Sequence, residues 1–177
     1  MIVTLFEDYD IKNIPIDVFS LALKMDIVLH SYSEVSESQR ALLIAASKDG
    51  FSYFSKNKFH IYYNDKIFPK SRIRFTIMHE IGHVVLKHSC SNDANESEAD
   101  FFARNALAPL PLLIFLKIEN KNEIVEKFDV SNACAENILR SLITRMDYKN
   151  YDLFDYEQEL INLFKEQLIQ ISWKILI

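Results

Sequence analysis

Glycine occurs only twice and proline four times among 177 residues. Breakers this scarce exclude a disordered chain, and because most charges fall between apolar positions at helical spacing, the sequence is expected to be rich in helix. Cysteine is as sparse: Cys90 and Cys134 stand at unrelated spacing, which excludes a disulfide framework and a CxxC metal site. Positive charge is in deficit, with 20 Lys and Arg against 25 Asp and Glu, so a general nucleic-acid-binding surface is not expected. Residues 1–10 hold three acids and neither lysine nor arginine, unlike the basic start of a signal peptide. The longest apolar run, 106–116, is too short to cross a bilayer and contains Pro109 and Pro111. Together these absences lead to the expectation of a soluble, cytoplasmic protein that does not enter a membrane.

What is present is apolar mass and one dense motif region. With 49% hydrophobic residues the chain can bury a core without disulfide or metal staples. The expected class is α+β with helix dominating. The expected organisation is a core over 1–120, a helix-turn-helix-like pair over 121–148 packed on it, and a C-terminal helical segment over 149–177, within one compact domain.

Taken in order, 14–24 places Ile14, Val18 and Leu21 on one helical face with Pro15 and Asp17 in the first turn, and 27–32 reads as a short strand. His30 in that strand is expected to be a satisfied, half-buried histidine. Ser36 or Ser38 suits the cap of a helix through Ala46. Behind the turn signal at 48–50, the aromatic runs 51–54 and 59–63 form a hairpin around the polar residues 55–58. The second run is either an ordinary covered strand or a sheet edge able to hold an extended peptide. Ser71 then caps a helix striped by Ile73, Ile77 and Ile81, in which Gly82 implies close approach of another backbone. Further helices are expected over 96–107, 109–118 and 123–146, the last split into two with Ser131 as cap. Residues 151–177 read as helical with an apolar tail over 171–177.

The chemistry concentrates between 72 and 109. His79-Glu80-Ile81-Gly82-His83 puts two imidazoles one helical turn apart, about 40° round the axis and about 6 Å along it, so both can hold one zinc ion. A catalytic zinc takes three protein ligands and keeps one position open. The third is sought among Glu96, Glu98 and Asp100. Glu96 and Asp100 share a helix face, which favours Glu96 as ligand and Asp100 as the carboxylate holding a ligand histidine by its other nitrogen. Glu98 is assigned to a capping box with Asn95 as cap, and it and Asp100 stay as alternative ligands. Glu80 is the expected general base of amide hydrolysis. His88 lies about 140° from His83 if the helix continues, and is assigned to the C-terminal dipole. His60, Tyr62 and Tyr63 are candidate oxyanion donors.

Arg74-Phe75-Thr76 leading into His-Glu-Ile-Gly-His, then Glu96-x-x-Ala99-Asp100-x-Phe102-Ala103 and Leu107-x-Pro109, resembles the ImmA/IrrE family of zinc metallopeptidases. The resemblance is specific over 64–109 and weaker over 14–146. It implies a gluzincin-like, zincin-type fold with a small, mostly antiparallel sheet beside the active-site helix. It further implies zinc on His79, His83 and Glu96, with Glu80 as acid/base, and as substrate a helix-turn-helix repressor of a phage, mobile element or stress regulon, encoded nearby. The chain departs from the family pattern in having aspartate at 100 where asparagine is frequent, a short gap between His83 and Glu96, and Ala-Leu-Ala-Pro over 106–109. The DNA-binding domain of some relatives is not found, so a separate repressor is the expected partner. Residues 124–139 have helix-turn-helix spacing, but the second helix offers only Arg140 beside Glu136, so direct DNA binding is not favoured. The competing reading is a zinc-containing regulator that sequesters a repressor, or contacts DNA, without proteolysis.

Overall fold

The computed structural model describes residues 1–90, 92–146 and 152–175, with side chains through Ile171. The rest of the expected apolar tail lies outside the described side chains. In chain order the elements are α1 (Ile2–Asp8), α2 (Val18–Lys24), β1 (Val28–Ser31), α3 (Glu37–Ala46), β2 (Gly50–Ser55), β3 (Lys58–Tyr63), α4 (Lys70–Val85), α5 (Asp93–Leu107), α6 (Leu110–Phe115), α7 (Lys121–Phe128), α8 (Asn132–Met146), α9 (Asp155–Leu163) and α10 (Lys165–Ile175). The expected α+β class, dominated by helix, is what forms. Contacts divide the chain into two units, Asp17–Ala103 and Met1–Ile16 with Arg104–Ile177.

In the unit Asp17–Ala103, α2 starts at Val18 because the Asp17 carboxylate accepts from the Phe19 and Ser20 amides. Ser36 closes a capping box with Gln39 at the start of α3, as expected, yet none of that helix's residues is buried. The hairpin turns on Lys56 and Asn57, both left-handed at φ 49° and 60°, as a two-residue type I′ turn requires. The sheet order is β1-β3-β2: β3 pairs in parallel with β1 and antiparallel with β2. The sheet is therefore mixed, and the run 59–63 is its central strand rather than an edge. The parallel β1–β3 pairing brings together segments about 30 residues apart, which local pattern does not reveal. Leu21, Ala22, Tyr32, Ile61, Ile77, Met78 and Ile81 are fully buried in this unit.

Both glycines lie where backbone crowds α4 or belongs to it. A Cβ on Gly50 would fall 2.6 Å from the Tyr62 carbonyl oxygen and 2.7 Å from Thr76 Cγ2. A Cβ on Gly82 would fall 2.9 Å from Phe102 Cδ1 and 3.4 Å from the Ala99 backbone, the close approach expected from the sequence. The caps differ from expectation. Pro69 is the N-cap of α4 and Ser71 is buried inside the helix, because the chain is already extended at Pro69 and turns helical one residue later. Asn92 rather than Asn95 caps α5, its Oδ1 accepting from the Ala94 and Asn95 amides. Glu96 therefore lies one turn inside α5, and the capping box assigned to Asn95 and Glu98 does not form.

The other unit gathers α1 and α6 to α10 around Phe6, Leu112, Leu113, Ile124, Phe128, Ile138, Leu160 and Phe164. Phe6 and Phe164 meet edge to face at 5.7 Å. Asn120 caps α7, and left-handed Asp129 ends it at φ 50°. Ser131 Oγ accepts from the Cys134 amide, as its expected capping role requires. Ile124, Phe128, Ala135, Ile138 and Leu142 are buried, so α7 and α8 spend their apolar faces on packing. Arg145 donates to Glu157 at 2.9 Å and Arg140 pairs with Glu136 at 3.5 Å, which commits the two basic groups of α8 to neighbouring acids. No helix among the described residues is long and apolar enough to cross a membrane.

Candidate metal centre

His79 and His83 project from successive turns of α4, the helical phase expected from their spacing. Their Nε2 atoms are 3.0 Å apart and their rings meet edge to face. From α5, Glu96 Oε2 comes within 3.2 Å of His79 Nε2 and 3.6 Å of His83 Nε2. Asp100, one turn further along α5, sets Oδ1 2.9 Å from His79 Nδ1. An ionised carboxylate only accepts, so Nδ1 of His79 carries a proton toward Asp100, and a ring with that single proton has a bare Nε2 facing Glu96, as a metal ligand needs. Burial pulls the His83 imidazole below its ordinary value of 6.5; the nearby Glu80 opposes this shift, and His79 adds to it.

Acceptors facing one another at this range repel unless a cation lies between them. Ligand atoms about 2.0–2.1 Å from a tetrahedral zinc are roughly 3.3 Å apart, close to the 3.0 to 3.6 Å separations here. Among the described residues, His79, His83 and Glu96 form the group that could hold a metal ion. Two imidazoles and one carboxylate, with room for a fourth ligand, suit zinc in chemical type. Glu98, the alternative third ligand, points its carboxylate instead to His88, whose Nε2 is 3.2 Å away. His88 in turn places Nδ1 2.9 Å from His83 Nδ1. The helical-dipole role assigned to His88 is thereby corrected. The helix ends at Val85, and left-handed Lys87, at φ 58°, folds the chain back.

Glu80 follows His79 and is almost fully buried. Its Oε2 accepts from Ser52 Oγ at 2.7 Å. Ser52 pairs with Ile61, so strand alternation sends both toward α4 and turns Phe51, Tyr53, His60 and Tyr62 to the opposite face. The structure does not bring His60 or Tyr62 to the metal cluster. His60 Nδ1 shares a hydrogen with His30 Nε2 at 3.0 Å, and Tyr62 stacks on His30 and Phe51. Tyr63 meets Phe19 edge to face. A cleft of about 450 Å³ lies beside the ligands, lined by Ser47, Gly50, Phe51, Ser52, Glu80, His83, His88 and Glu96. Its wall includes the outer edge of β2, with which no strand pairs among the described residues. Sequence reasoning did not single out Ser52; a serine in an aromatic strand carries no local signal of what it faces.

The sequence matches the peptidase M78 family, described as an IrrE N-terminal-like domain, over residues 39–139. The chain belongs to this family. The match runs from α3 into α8 and includes His79, Glu80, His83 and Glu96, so the expected resemblance holds and the function is of the metallopeptidase type. No protein of curated function matches the sequence significantly.

Proposed function

We propose that this M78 protein is a zinc-dependent endopeptidase that cleaves a partner protein, a helix-turn-helix transcriptional repressor of a phage, mobile element or stress regulon. The observation that carries the reading is the convergence of His79 Nε2, His83 Nε2 and Glu96 Oε2, with the Glu80 carboxylate held beside them in the same cleft. A zinc ion held by His79, His83 and Glu96 would supply Lewis acidity for activating water and polarising the scissile carbonyl. Asp100 accepts the His79 Nδ1 proton and so keeps that ring turned to the site. The Ser52 hydroxyl occupies one lone pair of Glu80 Oε2, which orients the carboxylate and leaves Oε1 to take a proton from water and pass it to the leaving amine. An extended substrate segment fits along the free edge of β2, where backbone groups offer strand pairing irrespective of sequence. The substrate class rests on the family resemblance, and a repressor encoded beside this chain is the first candidate. Glu80→Gln is expected to bind zinc with unchanged stoichiometry and to lose cleavage of that repressor by about 10²–10⁴-fold. Undiminished cleavage by the variant would refute the mechanism.

A further inference from the structure

The two histidines of the metal centre are supported differently, and the second support comes from His88 and Glu98, residues that the HExxH and E-x-x-A-D motifs do not specify. Continued helix beyond Val85 would carry His88 about 140° round the axis from His83. The chain instead closes α4 with a left-handed residue: Lys87 has φ 58°, its amide bonds the Val84 carbonyl at 3.2 Å, and the His88 amide bonds the His83 carbonyl at 3.0 Å. That pair of bonds seats the residue after the left-handed position over the residue five before it, where an apolar contact is usual. Here the contact is between two imidazoles, 5.0 Å apart by ring centroid, and the His88 side chain is 8% exposed.

The hydrogen bonds have one consistent direction. The Glu98 carboxylate can only accept, so His88 Nε2, 3.2 Å away, carries a proton. A His88 ring with that single proton has a bare Nδ1, which accepts, and the donor 2.9 Å away is then His83 Nδ1–H. With its proton on Nδ1, His83 presents a lone pair from Nε2 toward His79 Nε2 and Glu96. The reverse direction would aim a bare His88 nitrogen at a carboxylate.

We propose that His88 and Glu98 are positioning residues that fix the tautomer and ring orientation of His83, so that α5 steadies both histidines of α4: Asp100 directly, and Glu98 through His88. The hydrogen-bonded chain from Glu98 through His88 to His83 stands on geometry, whereas the His83 tautomer, which turns a bare Nε2 toward His79 Nε2, rests on the cation of the proposed function.

The test uses the full chain and three variants: His88→Phe, which keeps a ring and removes the acceptor, Glu98→Ala, and Glu98→Gln, whose amide oxygen still accepts from His88. Nitrogen NMR of the zinc-loaded protein reads which His83 nitrogen carries the proton, competition against a chromophoric chelator reads zinc affinity, and thermal unfolding without metal reads fold stability. The wild type is expected to carry the His83 proton on Nδ1. His88→Phe is expected to bind zinc about 10–100-fold more weakly, with Glu98→Ala weakened in the same direction and Glu98→Gln within about twofold of wild type. Unchanged melting of the metal-free variants separates positioning from a general loss of structure. If His88→Phe does not fold, Glu98→Ala carries the test, since the Glu98 side chain is 63% exposed. A His83 proton on Nε2 in the wild type, or zinc affinity unchanged in both loss variants, would overturn the inference. Wild-type protein that binds no zinc would overturn the proposed function and this inference with it, whereas zinc bound equally well by wild type and both loss variants would overturn this inference alone.

Discussion

Gly82→Ala sets helix propensity against packing, and the structure decides which wins. In an exposed helix the change would stabilise by about 1 kcal/mol, because alanine has less backbone freedom to lose. At Gly82 the new methyl would stand 2.9 Å from Phe102 Cδ1, where carbon atoms in contact prefer about 3.5–4.0 Å. Phe102 is 1% exposed, so its ring has no solvent side to turn into. The other contacts, at 3.4 Å, are to the Ala99 backbone, which moves only if α5 moves. Overpacking of this kind costs about 1–3 kcal/mol, and a clash with a buried ring and a backbone belongs in the upper half of that range. The expected net loss is about 1–2 kcal/mol, or a fall in Tm of roughly 2–8 °C for a chain of this size. Differential scanning calorimetry of the metal-free protein measures it. Because α5 also carries Glu96 and Asp100, zinc affinity is expected to fall with stability. A variant that melts higher than wild type, with zinc affinity intact, would refute the claim that α4 and α5 are closely packed at this glycine.

Other expectations are as specific. Asp100→Ala removes the acceptor of His79 Nδ1–H and should weaken zinc binding about 10–100-fold in a chelator competition, with little change in the far-ultraviolet dichroism of the metal-free protein. Burial pushes the Tyr32 phenol up to about 12 from 10. Since the folded state holds this proton more tightly than the unfolded chain, stability is full below pH 10 and falls through pH 10–12, by on the order of 2 kcal/mol. Tyr32→Phe should remove that part of the alkaline loss in pH-dependent denaturant titrations, at a cost of about 1 kcal/mol at neutral pH for the bond to the Ser47 carbonyl. Glu157 is 3% exposed and holds Arg145 while accepting from the Phe154 amide, so Glu157→Ala should destabilise by about 3 kcal/mol in urea unfolding, far more than Glu136→Ala at the exposed pair with Arg140.

Local physics made much of this protein legible in its sequence. The His79–His83 pair needs only the pitch of one helix, and Glu96 with Asp100 needs only the phase of the next. Ser36 as a cap and Gly82 as a close approach follow from preferences that act within a turn or at a single residue. The local expectations that the structure corrects involve backbone reversals. Asn92 and Asn95 both satisfy the composition rule for a cap, and only the path of the chain selects between them. Lysine at position 87 gives no sign of the left-handed conformation that a glycine would announce, so the sequence alone suggests a helix continuing to His88. Partners contributed by distant segments had no local signal at all. Ser52 reaches Glu80 because β2 lies against α4, and β3 becomes the central strand because β1 pairs with it across an intervening helix and strand. Thus periodicity determined which side chains could act together on one element. Tertiary packing decided which carboxylate and which hydroxyl those side chains meet, because such contacts depend on how elements dock and on where each chain reversal falls.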